Sequence, residues 1–321
     1  MKKIAKKNQE QKPIPSQRLD IFLSAKLKIS RSQIKKLIDN NQVTVNGKIV
    51  TKTGGSIRAT DKVIVNKAAP EKKLTVKEEK IKKEKFKINI IKETPDYLVV
   101  EKPYGLLTHS TEKNETDSLA SMLAKKYPAL KKVGDDPKRP GIVHRLDKEA
   151  SGLLVVARTQ KMFEHLKDQF KNRTVEKEYL VLAHGKTSKD FDSINFPLER
   201  GRNVERMSAL PATEYGRVNT LGKEALTEFD VEKRFINFTL LKVKIHTGRM
   251  HQIRAHLLAY NHPVVGDPLY FQKKRKDKWD RVCGRLFLHC VKLGFVDLNG
   301  EKQEFISALP KPLADFLLLL K

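Results

Sequence analysis

Five charged or titratable side chains crowd into six positions, His144, Arg145, Asp147, Lys148 and Glu149, and an apolar run at 153–157 follows them. The run reads as a buried strand. Polar side chains at the end of such a strand are costly unless they are hydrogen-bonded or used. A buried carboxylate tends to be neutralised by desolvation, and an adjacent guanidinium opposes that loss of charge. On residue types alone, two readings stay open: a structural ion-pair cluster, or a site that works with an ionised carboxylate.

Other chemistry-bearing residues narrow the choice. His246, His251, His256 and His262 lie within 17 residues. Spacings of five, five and six do not place them on one helix face, unlike the i, i+4 pair of HExxH. Arg249 and Arg254 among them would repel a divalent ion, so no metal is expected. The chain has no phosphate-loop pattern and no GxGxxG, so no nucleotide cofactor is expected either. Tyr179 precedes Leu180, Val181 and Leu182, and by itself it reads as a core residue of a strand.

These residues need elements to hold them. The 321 residues suggest one large domain and one small one. The charge is uneven: 65 Lys+Arg against 38 Asp+Glu give +27, and residues 1–85 hold 23 and 8 of these, a net of +15. A field of that sign attracts polyanions, of which RNA is the commonest in the cytosol. Solubility or adaptation to salt would give the same sign. The front of the chain therefore reads as a separate binding module. Two cysteines, Cys283 and Cys290, imply no disulfide framework and fit a reducing compartment. The basic, polar start is not a secretory signal, and no run approaches 18 apolar residues, so a soluble cytoplasmic monomer is expected.

Within the module, Leu19, Phe22, Leu23 and Leu27 are spaced for a helix. Ser30 is a candidate N-cap for a second helix, with Ile34, Leu37 and Ile38 as its apolar stripe. Residues 42–50 read as a hairpin turning at Asn46-Gly47, and 61–65 as a further strand. Residues 1–16 are a basic tail and 67–85 a charged linker. Such a tether raises the effective concentration of one domain once the other has bound. The region 86–321 begins with strands near 86–91 and 97–103, with candidate helices at 118–127, 160–171, 251–259 and 312–320. Few strand–helix–strand alternations appear, which predicts an α+β fold with a mixed, mainly antiparallel sheet.

Residues 17–66, with "VTVNGKIV" and "DKVIV" after two helices, resemble the alpha-L (ribosomal S-four-type) RNA-binding domain. That resemblance implies an RNA-facing second helix, hence Arg31, Ser32, Lys35 and Lys36. "HRLDKEASGLLVVAR" resembles the catalytic motif of the RluA-type RNA pseudouridine synthases. "VVEKPYGLLTHS", "KEYLVLAHG", "IHTGRMHQIRAHLLAYNHPVVGDPLY" and "LFLHCVKLGF" continue the likeness in order across nearly the whole large region.

The resemblance implies Asp147 as the catalytic aspartate and Arg254 as its partner. It implies Tyr179 stacked on the flipped base, Ile253 packed against that base, and Arg145 filling the vacated duplex space; His144 would join the RNA-binding set. The family usually has Thr or another polar residue where Ala150 stands, which removes one possible hydroxyl contact. Residues 199–207 would grip the substrate stem. The basic stretch 273–278 beside Trp279 reads as an RNA-facing loop or a solvated insertion.

The implied reaction breaks the ribose C1′–N1 bond, turns the uracil and rejoins it through C5. It needs no cofactor and no metal, only an ionised, fixed carboxylate that attacks the ribose or removes a ribose proton. Extruding the base costs a few kcal/mol, which a wedge and an aromatic platform offset. A sister family, also with an alpha-L domain, tends to have Gly where His144 stands. A non-catalytic RNA-binding protein on the same fold is the alternative of another class. Large-subunit ribosomal RNA is the expected partner, with tRNA as the alternative.

Overall fold

A computed structural model describes residues 16–39, 42–51, 53–65, 86–110, 117–201, 206–211, 222–271 and 278–321. The basic tail short of Ser16, the whole linker 67–85 and most of 273–278 lie outside the described residues. The chain divides into two compact units, Met1–Glu84 and Lys85–Lys321.

The first unit runs β1 (Ser16–Arg18), α1 (Leu19–Leu27), α2 (Arg31–Asp39), β2 (Val43–Val45), β3 (Lys48–Ile49), β4 (Ser56–Arg58) and β5 (Val63–Val65). Its core is Leu19, Leu23, Ile34, Ile38, Val43 and Ile57, the two helical stripes closed over the strands. Lys28, in the left-handed region at φ 53°, ends α1. Ser30 and Gln33 then form a reciprocal cap. The Gln33 amide donates to Ser30 Oγ at 3.3 Å, and the Ser30 amide donates to Gln33 Oε1 at 2.8 Å. Asn46 and Gly47 both take positive φ, as a two-residue turn that matches strand twist requires. The pairing of β1 with β4 was not legible in the sequence.

The second unit runs β6 (Asn89–Glu93), β7 (Tyr97–Lys102), α3 (Leu119–Lys126), a 3-10 turn (Pro128–Lys132), β8 (Ser151–Ala157), α4 (Gln160–Lys171), β9 (Glu176–His184) and β10 (Phe191–Ile194). It continues with β11 (Leu198–Arg200), β12 (Met207–Ala209), β13 (Thr227–Arg234), β14 (Phe238–Ile245), α5 (Gln252–Ala259), α6 (Lys278–Cys283), β15 (Leu288–Val296), β16 (Lys302–Ile306) and α7 (Lys311–Leu318). Nine strands form one sheet in the order β10-β13-β14-β9-β15-β8-β7-β6, with β16 also paired to β15. Only β8 and β15 pair in parallel among the described strands. The sheet is therefore mixed and mainly antiparallel, and the fold is α+β.

Strand β8 is buried at all seven positions, as its apolar run demands. It approaches β15 so closely at Gly152 that a Cβ there would lie 2.3 Å from the Cys290 carbonyl oxygen, at a φ of +118°. Strand β6 begins at Asn89 rather than at 86, because its ladder with β7 starts where Asn89 meets Glu101. Trp279 packs edge-on against Phe238 and Phe316, in a second core beneath α7. Among the described residues no helix is long and apolar enough to cross a membrane.

Candidate active site

Asp147 sits on the loop that leads into β8, and that loop is clamped from beneath. Lys102, at the end of β7, is fully buried. Its Nζ donates to the carbonyls of Leu106 at 2.8 Å, Pro103 at 3.0 Å and Lys148 at 3.3 Å. Burial lowers its pKa to about 7, against the pull of Asp147 and Glu149. Thr108 Oγ donates to the Leu146 carbonyl at 2.8 Å and accepts the Leu146 amide at 3.2 Å. The Gly105 amide donates to the Lys148 carbonyl at 2.8 Å. The backbone on both sides of Asp147 is thereby fixed.

Arg254 reaches the loop from α5 with a side chain only 1% exposed. Its Nη1 donates to Asp147 Oδ2 at 3.1 Å and lies 3.5 Å from Glu149 Oε2. The other edge of the guanidinium is held in a fork by Asp267, with Nε to Oδ2 at 2.7 Å and Nη2 to Oδ1 at 2.8 Å. Asp267 in turn accepts the amides of Leu269 at 2.8 Å and Tyr270 at 2.9 Å. The Tyr270 ring lies 5.1 Å from the guanidinium carbon. Burial works against the charge on Arg254, but Asp267 and then Asp147 outweigh it, so the group stays cationic. Asp147 Oδ1 makes no hydrogen bond among the described residues, so one carboxylate oxygen is held and the other is free.

Asp147 lines a cavity of about 80 Å³ together with Tyr179, Ile253, Ala150, Leu288 and His251. Tyr179 and Ile253 are each 5% exposed. Burial, followed by Cys290 and Asp147, pushes the Tyr179 phenol well up, so its hydroxyl keeps its proton. Ala150 puts a methyl in that wall. The cavity shares Tyr179, Arg145 and Arg249 with a wider cleft of about 450 Å³. Six cations line the cleft, Arg139, Arg145, Lys171, Arg173, Lys177 and Arg249, and no carboxylate does so among the described residues.

Arg145 is exposed at the junction and makes no ion pair among the described residues. His144 stacks on Phe170 with centroids 4.6 Å apart, and its Nε2 accepts the Val155 amide at 3.0 Å. Burial, and to a lesser extent Lys177, lowers its pKa to about 3. It is a neutral ring tied to β8 that also lines the cleft. The other histidines have separate partners: Glu228 for His246, Thr227 and the Phe196 carbonyl for His256, and the His184 carbonyl for His262. Strands β11 and β12 pair as a hairpin; of 199–207, residues 202–205 lie outside the described residues.

In the first unit, Arg31 is exposed but tied to Asp20, with Nη2 to Oδ2 at 2.6 Å. Arg18 and Arg31 hold the Asp20 carboxyl well below the usual carboxylate range. Ser32 is exposed and bonds the Ser30 hydroxyl at 2.8 Å. Lys35 is exposed, and the side chain of Lys36 lies outside the described residues.

The structure brings Asp147, Arg254, Tyr179, Ile253 and Arg145 around one cavity. The sequence reading missed Lys102, Thr108, Asp267 and Tyr270, although each lies in a segment it singled out, "EKPYGLLTHS" or "GDPLY".

A model of the RNA pseudouridylate synthase family matches residues 96–259, and the S4 domain model matches residues 17–63. The chain is 43% identical over 257 residues to an uncharacterized RNA pseudouridine synthase of Aquifex aeolicus (strain VF5), covering 79% of this chain and 77% of that protein. It is 31% identical to the ribosomal large subunit pseudouridine synthase D of Haemophilus ducreyi (strain 35000HP / ATCC 700724), covering 91% and 86%. Among solved structures, Human RNA Pseudouridylate Synthase Domain Containing 1 aligns with a TM-score of 0.55 at 26% identity, over 70% of this chain and 84% of that one. The chain therefore belongs to the RNA pseudouridylate synthase family, isomerases that turn uridine into pseudouridine in RNA, and it carries an S4 RNA-binding domain ahead of the catalytic fold.

Proposed function

We propose that this protein isomerises specific uridines of large-subunit ribosomal RNA, with Asp147 as the catalytic carboxylate. One observation carries the reading: a carboxylate that lines a small cavity, one of its oxygens held at 3.1 Å by a buried guanidinium and the other without a hydrogen bond among the described residues. Its fixed loop supplies the alignment on which rate depends.

Arg254 holds and orients Asp147 through the 3.1 Å hydrogen bond. Tyr179 offers its ring as the platform for the extruded uracil, with a protonated hydroxyl in reach of the base. Ile253 packs on the base, and Arg145 at the cavity mouth fills the gap left in the RNA. The cation-lined cleft suits the phosphates on either side of the flipped nucleotide. In the S4 domain, α2 contacts RNA through the exposed Ser32, Lys35 and outer edge of Arg31, and Lys36 of the same helix belongs to the same RNA-binding set. The ribosomal target is supported by the relatives named for the large subunit, among them the Haemophilus protein.

The test is to map pseudouridines in RNA from cells lacking this gene. Loss of one or more large-subunit sites is expected. Unchanged large-subunit RNA together with altered tRNA would move the target to tRNA.

A further inference from the structure

Beside Asp147 the site holds His251, whose other ring nitrogen meets a tyrosine hydroxyl tied to the backbone of a neighbouring strand. The Met207 amide, at the start of β12, donates to the Tyr270 hydroxyl oxygen at 2.6 Å. The same hydroxyl lies 3.1 Å from His251 Nδ1. A backbone amide can only donate, so the Tyr270 oxygen is its acceptor. The phenol proton then points away from that amide, and His251 Nδ1, 3.1 Å away, is placed to accept it. With Nδ1 accepting that proton, a neutral imidazole carries its own on Nε2.

That Nε2 lies 3.8 Å from Asp147 Oδ1, the oxygen that Arg254 leaves free. The distance is beyond a hydrogen bond. Catalytic hydrogen bonds are often long in an unliganded site and tighten once substrate is bound. The ring is held otherwise as well. His251 takes φ 53° at the start of α5, and Tyr270 meets it edge-on with centroids 5.5 Å apart. Tyr270 thus touches both arms of the site, its ring under Arg254 and its hydroxyl on His251.

We infer that His251 is a positioning residue of the uridine isomerisation, held by Tyr270 as the Nε2–H tautomer so that it donates to the free oxygen of Asp147. This rests on Asp147 being the catalytic carboxylate. Burial lowers the His251 pKa, more than Asp147, Asp267 and Glu149 raise it and with Arg254 acting in the same direction, so the ring is neutral at physiological pH. A neutral donor steadies Oδ1 without protonating it, whereas a second full cation would bind the carboxylate too firmly to react.

Two measurements separate this inference from the assignment of Asp147. Imidazole nitrogen NMR on the purified full chain, with His251 assigned from the spectrum of His251→Gln, reads the tautomer without any turnover. The Nε2–H form is expected, and Tyr270→Phe, which keeps the ring under Arg254, should shift it toward a mixture. An Nδ1–H form in the wild type would overturn the inference, whatever Asp147 does. In turnover assays, His251→Leu should lower kcat by about 10- to 100-fold with KM within about twofold. His251→Gln, which keeps an N–H at the Nε2 position, should recover most of that loss. If Leu leaves kcat within twofold, or if Gln is as slow as Leu, the donor role is wrong.

Discussion

Asp267 never touches the cavity, yet its removal should disturb the enzyme more than most changes within it. In Asp267→Ala the Arg254 guanidinium, 1% exposed, loses two charge-assisted hydrogen bonds of 2.7 and 2.8 Å. The amides of Leu269 and Tyr270 lose their acceptor in the same step. Arg254 keeps Asp147 as a counter-charge, but two of its buried N–H donors lose their acceptors, which costs on the order of 3–5 kcal/mol together with the two orphaned amides. In a domain of this size each kcal/mol moves the melting temperature by about 2–4 °C, so a drop of roughly 6–20 °C is expected. Urea unfolding followed by tryptophan fluorescence would measure it through Trp279, which packs against Phe238 and Phe316. The freed guanidinium would also settle on Asp147 and Glu149, so kcat should fall in the fraction that remains folded. Asp267→Asn keeps an oxygen for the two amides but turns an NH2 toward Arg254, and it should recover only part of the stability. A loss below about 1 kcal/mol for the alanine variant, or wild-type stability for the asparagine variant, would refute the view that Asp267 is what keeps Arg254 charged in the interior.

Two further outcomes follow from the same geometry. Tyr179→Phe keeps the ring and removes a hydroxyl whose proton burial holds in place; kcat on RNA should fall by about 10²-fold or more while the melting temperature moves little, and an unchanged kcat would leave the ring as the whole of its role. Lys102 has a pKa of about 7 when folded against 10.5 when exposed, so between those values the unfolded chain binds more protons and stability rises with pH. This contribution is fully present above about pH 10.5 and is lost progressively as the pH falls from there to about 7. Urea midpoints at pH 7 and pH 9 should show the gain in the wild type, and Lys102→Met should lack it.

What was legible in the sequence was the part governed by short range. The α4 boundaries follow from Thr159 as the cap and from the apolar spacing of Met162, Phe163 and Leu166. The hairpin at Asn46-Gly47 follows from a turn that demands positive φ at both positions. The run 153–157 announced a buried strand, and β8 is one. That Asp147 and Arg254 meet was implied only by resemblance, since 107 positions separate them and no local pattern records such a pairing. Lys102 looked like an ordinary charged residue at a strand end. Its burial depends on three carbonyls that converge only after β7 and β8 have paired. The tautomer of His251 was illegible for the same reason, because it depends on an amide 44 positions upstream that reaches it through Tyr270.

The central claim is that Asp147 is the group that does the chemistry, and it can be tested directly because its removal should leave the fold intact. In Asp147→Ala, Asp267 still neutralises Arg254, so no buried charge is left unpaired. Purified wild-type and variant protein would be compared for RNA affinity and for pseudouridine formed on a large-subunit RNA substrate. RNA binding within about threefold of wild type and no detectable product are expected of the variant. Pseudouridine formation by Asp147→Ala at the wild-type rate would contradict it.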